Sequence, residues 1–179
     1  MTLELATIKQ DLENWVANYL DVPSMFYNGS KPCPFAKKAW VNNKVNVVLG
    51  TKPEVVAAVD EWDNKFDLTI VVYDHTEWQS NEWVKKHNPT IIDDDLYLMS
   101  FDPDEFGPDD PNLDPHNWGS VTDEVYGMVF VQRLSKLINY SDNLVSSGYY
   151  QNVSEDFMAY VNGRNSICAE KAKQRASVE

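Results

Sequence analysis

Only two of the 179 residues are cysteine, Cys33 and Cys168. No C-x-x-C occurs, which removes zinc knuckles and two-cysteine redox motifs. Two cysteines with no secretory leader predict reduced thiols in a cytoplasm. The opening MTLELATIKQDLENW has neither a basic start nor an apolar core, so no signal peptide is predicted. No apolar run approaches the roughly 20 residues that a membrane-spanning helix needs. With seven glycines, the chain has no glycine-rich phosphate loop, no G-x-S-x-G and no dinucleotide fingerprint. Nucleotide hydrolysis and serine-triad chemistry therefore lack support. The three histidines, His75, His87 and His116, fall at no metal-ligand spacing, and no metal ligands are assigned.

Basic residues are also scarce. Lys and Arg number 15 against 28 Asp and Glu, a formal net charge of -13. The excess is local: residues 60–124 hold 18 acidic and 3 basic residues, while each flank is at net +1. A phosphate backbone would be repelled there, so nucleic-acid binding is not expected. A solvated acidic surface, a cation or a basic protein partner each fit such a stretch.

What is present is a core. Hydrophobic residues make up 43% and aromatics 12%, too much for a disordered chain. Length and composition suit one compact domain over 1–179, of α/β or α+β class, with a central sheet of three to four strands flanked by helices. Ile8, Leu12, Trp15, Val16 and Tyr19 form a helical stripe over the first 20 residues. DVPSMFYNGSKP ends it, and AKKAWVNN suits a short helix. Residues 44–50 read as a strand closed by Gly50. Thr51 and Glu54 form a capping-box pattern that opens a helix carrying Val55, Val59, Trp62 and Phe66. Residues 68–73, LTIVVY, read as a buried central strand, parallel to the first. A shorter helix is expected from Thr76 to His87, stopped by Asn88-Pro89. Residues 96–101 read as a third strand. A helix is expected from Thr122 to Gly148, with Phe130, Leu134, Leu137 and Ile138 as its stripe, and a last one over 154–175.

Between them, residues 102–120 carry four prolines, two glycines and six carboxylates. A loop of that length inside a compact domain usually has a function or no fixed structure. Its Asp102, Asp104, Asp109, Asp110 and Asp114 could take a hard cation, but their spacing is not that of an EF-hand.

Cys33 sits in K-P-C-P-F-A-K-K. Lys31, Lys37 and Lys38 are close in sequence, and a helix is expected to start just after it. Positive charge and a helix N-terminus both stabilise a thiolate. The alternative is a small residue that anchors a turn between two prolines. Cys168 reads as core packing.

The Cys33-Pro34-Phe35-Ala36 motif, following Trp15, resembles the signature of domain-of-unknown-function family 1415, an uncharacterised, mainly bacterial family. The likeness covers about residues 10–150. It continues through Leu68–Asp74, Trp78–His87, Ser100-Phe101-Asp102-Pro103-Asp104, Phe106-Gly107 and Pro108-Asp109-Asp110-Pro111. A family arginine would fall near Arg133. Two histidines of the family pattern are replaced, by Tyr73 and Asp102. MFYNGSKPCPFAKKA is also similar to the first strand and active-site turn of glutaredoxins, and His87-Asn88-Pro89-Thr90-Ile91 to their later proline strand, although Ala36 stands at the second cysteine position.

The expected site joins Cys33 as nucleophile or redox thiol, Lys37 lowering its pKa, and Asp102 moving a proton or orienting substrate. Phe35, Asp74, Asp104 and Arg133 would bind substrate. The resemblance places these groups together but names no reaction, cofactor or substrate. The rival reading is a non-catalytic acidic interaction or cation-binding module. A single-cysteine glutaredoxin-like redox protein is the third. Oligomeric state is not legible in the sequence.

Overall fold

A computed structural model describes residues 4–101 and 126–153, together with residues 155, 158, 159, 161–164 and 166. Helix α1, Leu5–Trp15, buries Ile8, Leu12 and Trp15 on one stripe. It runs directly into a five-residue π-helical segment, Val16–Leu20. The wider turn brings both Tyr19 and Leu20 against the core cluster around Trp15. A 3-10 turn, Met25–Tyr27, leads to the Cys33 turn and to the short α2, Ala36–Val41.

Strand β1, Val45–Leu49, helix α3, Lys52–Asp60, and strand β2, Leu68–Tyr73, form a parallel βαβ unit with Val45 opposite Leu68 and Leu49 opposite Val72. The capping box at Thr51 and Glu54 forms as expected: the Thr51 N–H donates to Glu54 Oε2 at 2.7 Å. Trp62 and Phe66 lie beyond the end of α3 rather than on it.

Helix α4, Asn81–Ile91, starts five residues later than Thr76 and passes through Asn88-Pro89 instead of stopping there. The Asn88 side chain explains this. Its Nδ2 donates to the Leu98 carbonyl at 3.0 Å, and its Oδ1 accepts the Leu98 N–H at 2.8 Å. Leu98 belongs to β3, Leu96–Phe101, an edge strand whose outer backbone groups would otherwise be unpaired. Asn88 thus ties the end of α4 to the sheet, where the lost proline N–H matters little.

The fourth strand is where the sequence predicted helix. β4, Gly127–Arg133, contains Phe130 and lies between β2 and β3, antiparallel to both. Met128, Val129 and Val131 are fully buried, so both faces of β4 are covered and its alternation is hidden in a continuous apolar run. Helix α5, Leu134–Ser146, follows at once. Asp95 caps it from across the fold, accepting the Ser135 N–H at 2.8 Å and the Ser135 hydroxyl at 2.7 Å.

The sheet order is β1-β2-β4-β3. Side chains of Val47, Ile70, Val72, Met128 and Phe101 face α1 and the π segment. Val71, Tyr73, Val129, Val131 and Leu98 face α3 and α4. The chain is therefore a single mixed α/β domain, with one four-stranded sheet flanked by helices. Among the described residues, no helix is long and apolar enough to cross a membrane. Loop 102–120, the expected helix start at Thr122, Ser154, Phe157 and Cys168 lie outside the described residues.

Candidate functional site

The Cys33 turn is held from three directions. The Cys33 N–H donates to the carbonyl of Leu20 at 3.2 Å, at the end of the π segment. The Tyr149 hydroxyl donates to the Pro32 carbonyl. Phe35 stacks on Tyr140 of α5, with centroids 4.0 Å apart and planes at 17°. Tyr149 stacks in turn on Tyr27 at 4.8 Å. The turn is thus clamped between the end of the first helix, the 3-10 turn and the segment after α5.

Burial pushes the Cys33 thiol above its ordinary value. The adjacent main-chain N–H groups of Phe35 and Ala36 act in the opposite sense, favouring the thiolate, but burial outweighs them; the Ala36 N–H itself donates to the Cys33 carbonyl at 3.2 Å. Cys33 keeps part of its residue surface and is a free cysteine. The expected lowering by Lys37 is not found. Lys37 Nζ lies 2.7 Å from Asp21 Oδ2, and Lys31 Nζ lies 2.6 Å from Asp21 Oδ1. Those two ammonium groups hold the Asp21 carboxyl below its usual range, Lys31 foremost. Burial also drives the Tyr149 hydroxyl far above the ordinary tyrosine value, with Tyr27 and Cys33 adding to the effect.

Cys33, Phe35 and Lys37 share the turn. Asp74 does not join them by any contact: its Oδ1 accepts the Thr76 N–H at 2.9 Å and the Thr76 hydroxyl at 2.6 Å, which lowers its pKa. Arg133 donates from Nε to Asn64 Oδ1 at 3.0 Å and pairs with Asp95 at 3.4 Å. In register, Tyr73 lies opposite Gly127 and Leu68 opposite Gln132. Asp74 and Arg133 therefore sit at opposite ends of the β2–β4 pair, separated by about 20 Å of strand. One small-molecule site cannot hold both Asp74 and Arg133.

Asp102 and Asp104 lie outside the described residues. The residue before them, Phe101, packs on Trp15 with centroids 6.0 Å apart. Trp15 opens the segment that ends at Leu20, against Cys33. The C-terminal ends of β2 and β3 do come together, since Tyr73 and Phe101 face Gly127 and Met128 at the start of β4.

The glutaredoxin likeness loses its structural basis. Met25–Tyr27 is a 3-10 turn rather than a first strand, and His87–Ile91 is helix rather than a proline strand. The Cys33 turn also precedes β1 instead of following it.

Sequence reasoning missed Asp21, Tyr27, Tyr140 and Tyr149. Asp21 carried a usable signal, an acidic residue directly before a lysine-bearing turn. Tyr149 lies more than a hundred positions from Pro32, and no local pattern links them. Among the described residues, no group of three or more His, Cys, Asp and Glu side chains is placed to hold a metal ion. No family model, no curated protein and no solved structure matches the chain.

Proposed function

We propose that the chain is a small-molecule enzyme whose reacting group is the Cys33 thiol, held neutral at rest. The observation that supports this reading is a free, partly exposed cysteine at the turn that opens α2, with the main-chain N–H groups of Phe35 and Ala36 beside its sulfur. Such donors interact more strongly with a sulfur that is gaining negative charge than with a neutral thiol. They stabilise a developing thiolate more than the resting group, which is the condition for helping a transition state. Lys37 takes no direct part, because its charge is committed to Asp21. Asp102 is the carboxylate to which the sequence assigns the proton. Phe35, stacked on Tyr140, forms a wall. A reduced, cytoplasmic setting suits a free thiol of this kind.

A second reading is favoured by the Lys31–Asp21–Lys37 clamp, which spends both nearby cations on a carboxylate. In that reading Cys33 only anchors the turn, and the chain is a non-catalytic acidic module for a basic partner. Alkylation of the native protein separates the two. The enzyme reading requires Cys33 to react with iodoacetamide faster than the protein unfolds globally. Modification limited by unfolding leaves the interaction module.

A further inference from the structure

The sheet has two edges, and only one of them is closed. At β3 the Asn88 carboxamide takes both the N–H and the carbonyl of Leu98. The other edge is β1. Its ladder with β2 settles which way its main chain faces. The Leu68 N–H donates to the Lys44 carbonyl at 3.3 Å, and the Gly50 N–H donates to the Val72 carbonyl at 3.0 Å. Alternate residues of a parallel strand point to the same neighbour, so Lys44, Asn46, Val48 and Gly50 turn their main chain to β2. Val45, Val47 and Leu49 turn theirs outward. Among the described residues, none of those outward N–H and carbonyl groups has a hydrogen-bond partner. Protected edges carry a charge, a proline or a bulge. β1 reads VNVVL, pairs without a bulge and has none of these.

A strand is what such an edge accepts, because a second main chain supplies N–H and carbonyl groups at the same spacing. β1 itself meets the requirement. Set antiparallel to a copy of itself with Val47 on the two-fold axis, it brings Val45 opposite Leu49 of the copy. Both turn their main chain outward, and both pack at the margin of the α1-side core, so apolar meets apolar. Lys44 then falls opposite Gly50 of the copy, on the α3 side. Glu54 covers Gly50: a Cβ added there would collide with Glu54 Cγ and Oε2. Oε2 accepts the Thr51 N–H, while Oε1 has no partner among the described residues. Lys44 Nζ donates to the Lys65 carbonyl at 2.9 Å and keeps protons to spare. A lysine therefore meets a carboxylate on each side of the axis. Net charge does not oppose the contact. The acidic excess lies in residues 60–124, whereas residues 1–59 hold 5 acidic and 6 basic residues.

We infer that a second copy of this chain docks on the β1 edge, by antiparallel β1–β1 pairing about a two-fold axis at Val47, with Lys44 of each copy paired to Glu54 of the other. The two sheets then run on as one. The assembly stops at two copies, because its outer edges are both β3, which Asn88 closes. The pairing uses no atom of the Cys33 turn, so it does not depend on the thiol reading.

Sedimentation equilibrium of the full chain in reducing buffer, from micromolar to millimolar concentration, reads the association, and amide hydrogen exchange reads its place. A monomer–dimer equilibrium is expected. Exchange at the Val45, Val47 and Leu49 amides should slow as concentration rises, while the Asn46 and Val48 amides, bound to β2, stay slow throughout. Lys44→Glu turns both ion pairs repulsive and should weaken the dimer by about tenfold. Glu54→Gln removes the charge but keeps a capping-box residue, and should weaken it by about threefold. On the Glu54→Gln background, Lys44→Glu should cost less than on the wild type. Unchanged far-ultraviolet dichroism and urea midpoints confirm that each variant folds. A monomer at every concentration would overturn the inference and leave the edge to an extended segment of another protein. So would a dimer whose outward amides still exchange fast, or one indifferent to Lys44→Glu.

Discussion

Lys37 turns back onto Asp21, with Nζ 2.7 Å from Oδ2, and so places its charge on a carboxylate rather than on the Cys33 thiol four residues earlier. Asp21 is the residue that decides where the local positive charge goes. Replacing Asp21 with Asn removes a nearby negative charge and releases Lys31 and Lys37. The pH midpoint of Cys33 alkylation should then move to lower pH. An unchanged midpoint would show that neither lysine can act on the sulfur.

Cys33 and Tyr149 should make the fold sensitive to alkali. Both have folded values raised by burial. Their contribution is fully present below the ordinary thiol value of 9.0. Above it the unfolded chain releases the Cys33 proton while the folded chain keeps it, so stability falls as pH rises towards the folded value. Tyr149 adds a second loss above 10.0. Urea unfolding between about pH 8 and pH 10.5 should show this slope, and Cys33→Ala should flatten its first part. A wild-type stability constant across that range would contradict the burial of the thiol.

Gly127 faces the Tyr73 ring so closely that an added Cβ would lie 2.2 Å from Tyr73 Cε2. The ring is fixed in turn by the hydrogen bond from the Tyr73 hydroxyl to Ser80 Oγ at 2.7 Å. Gly127→Ala should therefore destabilise the protein by about 1–3 kcal/mol through overpacking. Gly163→Ala is the control: nothing lies within 4 Å of its added Cβ, and it should be neutral or stabilising by up to about 1 kcal/mol in a helix. Equal effects in urea unfolding would refute the packing argument.

Asn88 should matter more than its place on an outer helix suggests. Asn88→Ala leaves the Leu98 N–H and carbonyl without the amide that now pairs them. The expected cost is about 2–6 kcal/mol, from two backbone groups at about 1–3 kcal/mol each. A loss of less than about 1 kcal/mol would mean that water replaces the amide freely.

These residues also mark the limits of sequence reading. The β1–α3–β2 unit was legible because Thr51, Glu54 and Gly50 are local signals and LTIVVY is an unbroken apolar run. β4 was not, because a strand covered on both faces loses its period-2 pattern, and Phe130 happens to fall in step with the helical stripe of α5. Asn88-Pro89 read as a stop because its purpose is tertiary: the side chain serves Leu98, not the helix. At the candidate site, Cys33 was singled out from its charged, proline-flanked turn and Phe35 from the motif resemblance. That Arg133 and Asp74 lie at opposite ends of the β2–β4 pair was not legible, because their positions depend on strand register.

The most direct measurement is the rate of iodoacetamide modification of Cys33 in the native protein as a function of pH, with Cys168 replaced by serine and global unfolding followed in parallel by urea-extrapolated kinetics. A thiol held neutral but reachable should react faster than the chain unfolds, with a midpoint above 9.0, its ordinary value. A rate equal to the unfolding rate at every pH would contradict it, and would leave Cys33 as a turn anchor in an acidic binding protein.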